Sequence, residues 1–183
     1  MWSLNNNRIK LVEISKEYTS FLRTKVDSKI PQEHKNSNFH RPFIGILISN
    51  NDIKYVIPLS SPKEKHTKMH NTIDFHKIDG GKYGAIYFNN MFPVPDNPEV
   101  YKFVSTSLNN VNNLSTIQYI MLIRNQLSWL NLKKNKETVT KKAQFLYNTY
   151  QNNTLPNSIK ERCCNFIVLE NHYLEYNKHC VKG

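Results

Sequence analysis

Two serines, two lysines and a histidine fall within the run Ser60-Ser61-Pro62-Lys63-Glu64-Lys65-His66, directly behind an apolar stretch. Hydroxyls hydrogen-bond phosphate oxygens, ammonium groups offset phosphate charge, and an imidazole titrates near neutrality, so the string suits work on a phosphodiester. Side chains alternate along a strand but can converge where the chain leaves it, so Ser61 and Lys63 can both point at one bound phosphate. The bland reading is a Ser-Pro turn followed by a surface histidine in a polar loop. Ser61, Lys63, Ser60 and His66 are the candidate catalytic residues.

A hairpin must position them. Phe43-Ile44-Gly45-Ile46-Leu47-Ile48 and Ile53 to Leu59 flank the turn residues Ser49-Asn50-Asn51-Asp52, and Pro62 ends the second strand by removing a backbone donor. Upstream, Arg8 to Ile14 alternates as a strand, and Ser15 can cap a helix that places Tyr18, Phe21, Leu22 and Val26 on one face. Residues 27–41, rich in Asn and Lys and broken by Pro31, read as a mobile basic surface loop. A second strand pair, Thr72 to Ile78 and Tyr83 to Phe88, surrounds Asp79-Gly80-Gly81-Lys82, and a short strand is expected at Val100 to Val104. The first half therefore reads as a meandering antiparallel sheet.

The second half turns helical. Ser115 precedes an amphipathic pattern from Ile117 to about Leu132, and a second helix is expected from about Thr138 to Tyr150. Lys133, Lys134, Lys136, Lys141 and Lys142 cluster there, as a solvated face or an RNA contact. Residues 163–169 are apolar enough for a strand, and Glu170 to Tyr176 for a short closing helix. Strands followed by helices give an α+β fold, and 183 residues with 39% hydrophobic composition allow one domain over 1–183 with a core of its own.

Lys and Arg number 25 against 14 Asp and Glu, a net charge of +11 that favours polyanions, nucleic acid foremost. No segment approaches the roughly 20 apolar residues that span a bilayer, and the N-terminus lacks a signal-peptide pattern, so a cytoplasmic protein without membrane contact is expected. The three cysteines form neither an even disulfide framework nor zinc spacing and read as reduced and structural. His66, His70 and His76 have no acidic or thiol partner at metal-ligand spacing, so neither metal nor other cofactor is expected.

Taken together, the strings Arg41-Pro42-Phe43-Ile44-Gly45-Ile46, Tyr55-Val56-Ile57-Pro58-Leu59-Ser60-Ser61-Pro62-Lys63, His66, Ile123-Arg124-Asn125 and Cys164-Asn165-Phe166 resemble the ToxN/AbiQ family, the toxins of type III toxin–antitoxin systems. The chain's length places the resemblance nearest the AbiQ branch. The resemblance implies a twisted antiparallel sheet, partly barrel-like in the manner of MazF and Kid toxins, flanked by helices. It implies a metal-independent endoribonuclease, held inactive by a small structured repeat RNA in a closed protein–RNA ring. It implies release during phage infection, with phage and host transcripts then cut.

Carried over residue by residue, Ser61 matches the family's essential serine and Lys63 its nearby lysine. Ser60 stands where many relatives have threonine, and Arg41 where relatives carry lysine. The family tyrosine upstream of Arg41 has no clear counterpart among Ser37, Phe39 and His40. Arg41, Lys65, Tyr55 and Arg124 are the expected RNA contacts, Tyr55 by stacking, although aromatics on strands more often serve a core, as do Phe39 and Tyr119 if they lie on such elements. In metal-free cleavage the 2′-hydroxyl attacks the adjacent phosphate and leaves a 2′,3′-cyclic phosphate and a 5′-hydroxyl. Lys63 would stabilise charge on the nonbridging oxygens, and Ser61 would bond the phosphate or relay a proton. His66 has the intrinsic acidity for acid–base work. Two other readings stay open: a noncatalytic basic RNA-binding module, and a Ser/Lys hydrolase, which lacks an evident oxyanion-hole loop.

Overall fold

A computed structural model describes residues 3–4, 8–31, 41–48 and 52–176. The strands are β1 (Ser3–Leu4), β2 (Lys10–Ile14), β3 (Phe43–Ile48), β4 (Lys54–Ser60), β5 (Phe75–Lys77), β6 (Ala85–Tyr87), β7 (Phe92–Pro93) and β8 (Tyr101–Phe103). The helices are α1 (Lys16–Lys25), α2 (Glu64–Lys68), α3 (Leu114–Leu130), α4 (Lys133–Gln151), α5 (Asn157–Lys160) and α6 (Phe166–His172). All described pairings are antiparallel, in the order β5-β6-β4-β3-β2-β8, with β1 on β3 and β7 on β4. This is an α+β fold whose described sheet is open: its two end strands, β5 and β8, do not pair with each other, which corrects the barrel-like expectation. It is also not a simple meander, because β8 crosses back to β2.

Strand β4 is the hub. Along one edge it pairs with β3, while along the other its first half holds β7 (Tyr55↔Pro93) and its last residues hold β6 (Leu59↔Ile86, Ser60↔Ala85). From Tyr55 to Leu59 its residues are buried, which anchors the strand end from which Ser61 emerges. One contiguous core runs from Ile9, Leu11 and Val12 through Ile57, Leu59 and Ile86 to Leu146, Phe166 and Leu169.

Local signals act largely as read. Ser15 Oγ accepts from the Tyr18 amide as the cap of α1. For α3 the cap is Asn113, which accepts from the Thr116 amide, two residues before Ser115. Helix α4 begins at Lys133, so Lys133, Lys134 and Lys136 lie on its first turns rather than before it. Its Lys142 is not part of a solvated face: Nζ donates to the Thr72 carbonyl at 2.5 Å and pins the chain entering β5.

Two expectations are overturned. Residues 163–169 form no strand: Asn165 Oδ1 accepts from the Val168 amide and starts α6, with Phe166 and Leu169 inward and Ile167 exposed. An i, i+3 burial pattern won over the β-branched composition. The described part of the 27–41 loop is fixed, with Ile30 fully buried, Lys29 Nζ donating to the Cys163 carbonyl at 2.8 Å and Asp27 accepting from the Asn165 amide at 2.6 Å. Residues 32–40, including Ser37, Phe39 and His40, lie outside the described residues. Among the described residues no helix is long and apolar enough to cross a membrane.

Candidate active site

The end of β4 is shaped by a glycine turn. Gly84, at φ +98°, lies so close that a Cβ there would stand 1.9 Å from the Ser60 carbonyl oxygen, and Gly81, at φ +101°, would bring one within 3.0 Å of the His66 backbone. Only glycine allows both the positive φ and the approach, so this turn seats the Ser60-Ser61 backbone and α2 together. Ser60 is buried at 9% exposure, and its Oγ donates to the Ser61 carbonyl at 3.2 Å. Ser61, Pro62, Lys63, Glu64 and Lys65 are exposed. Lys63 stands at the N-cap position of α2 in an extended conformation, and its side chain is exposed. Glu64 pairs with Lys68 at 2.7 Å, and among the described residues neither Lys63 nor Lys65 has an acidic partner. An exposed hydroxyl followed by two uncompensated cations is a site that attracts phosphate.

On the opposite edge of β4, the Leu59 amide donates to the Pro42 carbonyl at 3.0 Å, which carries the β3 register (Phe43↔Pro58) one step further and sets Arg41 across from Ser60. Arg41 is half-buried. Its charge reaches Tyr87 on β6, where burial raises the phenol's pKa and Arg41 draws it back.

His66 departs from its expected place. The ring is fully buried under α2, packed against Phe75 and Tyr87, with Nε2 3.2 Å from the Tyr87 hydroxyl. Burial, then the charges of Lys65 and Lys63, lowers its pKa. A ring enclosed in this way does not meet RNA directly, which corrects the open-loop expectation. Its Nδ1 is buried and has no hydrogen-bond partner among the described residues.

Tyr55 is a second correction. Its ring is fully buried, edge-on to Tyr147 and Phe166, and its hydroxyl donates to Glu170 at 2.7 Å. No face is left for a base to stack on. Arg124, exposed on α3, gives Nε and Nη2 to the Thr106 carbonyl at 3.0 and 2.7 Å, so its described partner is not a residue of the corner. Tyr119 packs against the core. Cys163 and Cys164 are free and buried, and burial pushes the Cys163 thiol up to about 12. No group of three or more His, Cys, Asp or Glu that could hold a metal ion is present among the described residues.

The model of the family described as Toxin ToxN, type III toxin-antitoxin system, matches residues 10–174, which include the whole corner. The chain belongs to this family. The Endoribonuclease ToxN of Bacillus thuringiensis subsp. kurstaki is 29% identical over 181 residues, covering 95% of this chain and 87% of that protein. The Endoribonuclease AbiQ of Lactococcus lactis subsp. lactis is 30% identical over 98 residues, covering 48% of this chain and 52% of that protein. Among solved structures, the toxin of a bacterial type III system that is selectively inhibited by a non-coding RNA pseudoknot superposes with a TM-score of 0.72 at 29% identity, covering 93% of this chain and 98% of that one.

Tyr87 is the residue of the corner that sequence reading missed. It stands on a three-residue strand with a polar partner 21 positions away. The only signal in the chain was its place in the second strand pair, two residues beyond Ala85, the partner of Ser60.

Proposed function

We propose that this protein is the endoribonuclease toxin of a type III toxin–antitoxin system, acting in the cytoplasm on transcripts and restrained by a structured repeat RNA. The observation that carries this reading is the exposed Ser61-Pro62-Lys63 corner, built by Gly81 and Gly84, in a chain that matches the toxin family from end to end of that corner.

The chemistry follows from the groups present. Lys63 neutralises charge that builds on the nonbridging oxygens as the 2′-hydroxyl attacks in line, and Lys65 and Arg41 hold the flanking phosphates. Ser61 hydrogen-bonds the scissile phosphate or relays a proton; at its ordinary acidity a serine is a weak base by itself. Ser60, with its hydroxyl bound to the Ser61 carbonyl, fixes the backbone from which Ser61 projects. Products are a 2′,3′-cyclic phosphate and a 5′-hydroxyl, without a metal ion. The antitoxin RNA occupies the same cationic surface, and alternation of RNA and protein closes a ring.

The test is incubation with a long unstructured RNA in EDTA, with the new ends mapped, for wild type and Ser61→Ala. Discrete cuts ending in cyclic phosphate and lost in Ser61→Ala are expected. Salt-sensitive binding without any cut would instead make the corner a phosphate cradle of a noncatalytic RNA-binding module.

A further inference from the structure

Under the exposed corner, the Tyr87 hydroxyl and the His66 imidazole form a polar pair walled by Phe75, whose ring lies 5.3 Å from that of Tyr87 and 6.0 Å from that of His66. Alternation along β6 turns Ile86 into the core with Leu59 and sends Ala85 and Tyr87 to the other face, the face of Ser60 and, by register, of Arg41. Tyr87 is half-buried there, one strand over from the serines.

The direction of the His66–Tyr87 bond follows from the nitrogen left over. Nδ1 is buried with no partner among the described residues, and an orphaned N–H in a protein interior is rarer than an under-satisfied acceptor. Nδ1 is therefore the bare nitrogen, and Nε2 carries the proton and donates it to the phenol oxygen. With that oxygen accepting from His66, the Tyr87 O–H points away from the imidazole and is free to donate to another group. A phenol whose pKa burial raises, fixed as a donor within reach of the Arg41 charge, has the character of an acid rather than of a base.

We propose that Tyr87 is the general acid of the cleavage, giving its phenolic proton to the departing 5′-oxygen, and that His66 is the positioning residue that aims it. This rests on the endoribonuclease reading above. As the bond from the 2′-oxygen to phosphorus forms and the bond from phosphorus to the 5′-oxygen breaks, the 5′-oxygen takes the Tyr87 proton. The 2′ proton leaves by way of Ser61 to water. The phenolate left behind, held by the His66 Nε2–H and facing the Arg41 charge, regains a proton from water before the next turnover.

The experiment compares single-turnover cleavage of an RNA carrying one ordinary linkage with the same RNA carrying a sulfur in place of the bridging 5′-oxygen, whose thiolate leaves without a proton. Tyr87→Phe keeps the ring on Phe75 and removes only the hydroxyl. It should slow the ordinary linkage by about 10²-fold or more and leave the sulfur linkage at the wild-type rate. Equal slowing of both linkages, or no slowing of either, overturns the acid role. His66→Leu should lower the ordinary rate in the wild-type background and add nothing to Tyr87→Phe, and His66→Gln, whose amide N–H reaches about where Nε2–H does, should restore it. A His66→Leu deficit that persists at full size on Tyr87→Phe is a structural effect and overturns the positioning role. A wild-type protein that cuts neither RNA overturns the endoribonuclease reading and this one with it, whereas cuts that depend on Ser61 but not on Tyr87 overturn this one alone.

Discussion

Two tyrosine-bearing polar groups sit at opposite ends of β4, the buried Tyr55–Tyr147 pair and the half-buried Tyr87, and they are built on opposite terms. At the start of β4, Tyr55 and Tyr147 both donate to one Glu170 oxygen, at 2.7 and 2.8 Å, and Gln151 donates to the Tyr147 hydroxyl at 2.9 Å. At its far end, Tyr87 meets His66, whose second ring nitrogen has no partner among the described residues, above backbone held in place by two glycines at positive φ. Satisfied polar networks lock a core; unsatisfied groups and left-handed backbone cost stability and collect where a protein acts. The same residue type therefore serves structure at one end and stands ready for chemistry at the other.

The largest expected effect tests the active end directly. Lys63→Ala should lower cleavage about 10²–10³-fold while leaving the thermal midpoint unmoved, because the ammonium is exposed and has no acidic partner among the described residues. Lys65→Ala should act differently, weakening RNA binding uniformly and reducing the slope of log affinity against log salt by about one. A Lys63→Ala protein that cuts at the wild-type rate would break the comparison, since the active end would then lack its principal charge.

Gly84→Ala strikes the frame rather than the chemistry. A methyl placed 1.9 Å from the Ser60 carbonyl oxygen, on a residue at φ +98°, forces β6 away from β4. Strain and overpacking together should cost upwards of about 2 kcal/mol, seen as a lower thermal midpoint, and cleavage should fall with it. Stability and activity are coupled at this one glycine, and an unchanged melting curve would show that the turn yields more easily than its geometry says.

The opposite dissociation is expected at the structural end. Glu170→Leu leaves two tyrosine hydroxyls at the base of β4 without their shared acceptor, for a loss of about 1–3 kcal/mol read by denaturant unfolding. Cleavage per folded molecule should not change. Burial, and then Glu170, already raises the Tyr55 pKa far above the ordinary value and that of Tyr147 to about 12, so neither phenol ionises in any usable range. An activity loss in Glu170→Leu that exceeds the loss of folded protein would mean that the two ends are coupled through β4.

How much of this contrast was legible in the chain differs between its parts. The hairpin, the strand end at Pro62 and the Ser61-Lys63 corner could be read because alternation, turn residues and a missing backbone donor are local properties. Tyr55 could have been assigned to the core by that same alternation, since its neighbours along β4 are nearly all apolar. The depth of His66 could not: it lies in the polar run Lys63-Glu64-Lys65-His66-Thr67-Lys68, and only the approach of Gly81 to its backbone and the packing of Phe75 and Tyr87 bury it. Tyr87 was hidden for the same reason, because three residues of strand do not reveal which neighbours lie across them. The run 163–169 carried two patterns at once, β-branched composition and i, i+3 spacing, and the Asn165 cap with the buried Phe166 and Leu169 decided for helix.

The smallest effect is set by pH, at a second histidine with an orphaned Nδ1. His76 on β5 lies against Trp129, with ring centroids 5.9 Å apart, and burial, then Lys142, depresses its pKa from 6.5 to about 4. The unfolded chain binds a proton at this residue below about pH 6.5 while the folded one does not until near pH 4, so stability is complete above 6.5 and declines as the pH falls between the two. His66, lowered in the same direction, adds to the decline. His76→Phe keeps an aromatic ring on Trp129 and cannot be charged; its thermal midpoint should fall less than that of the wild type between pH 6.5 and pH 4, with cleavage at neutral pH unchanged. Parallel pH curves for the two proteins would show that His76 opens to water freely enough to protonate in the folded state, and would leave His66, under the corner, as the histidine that carries the acid sensitivity.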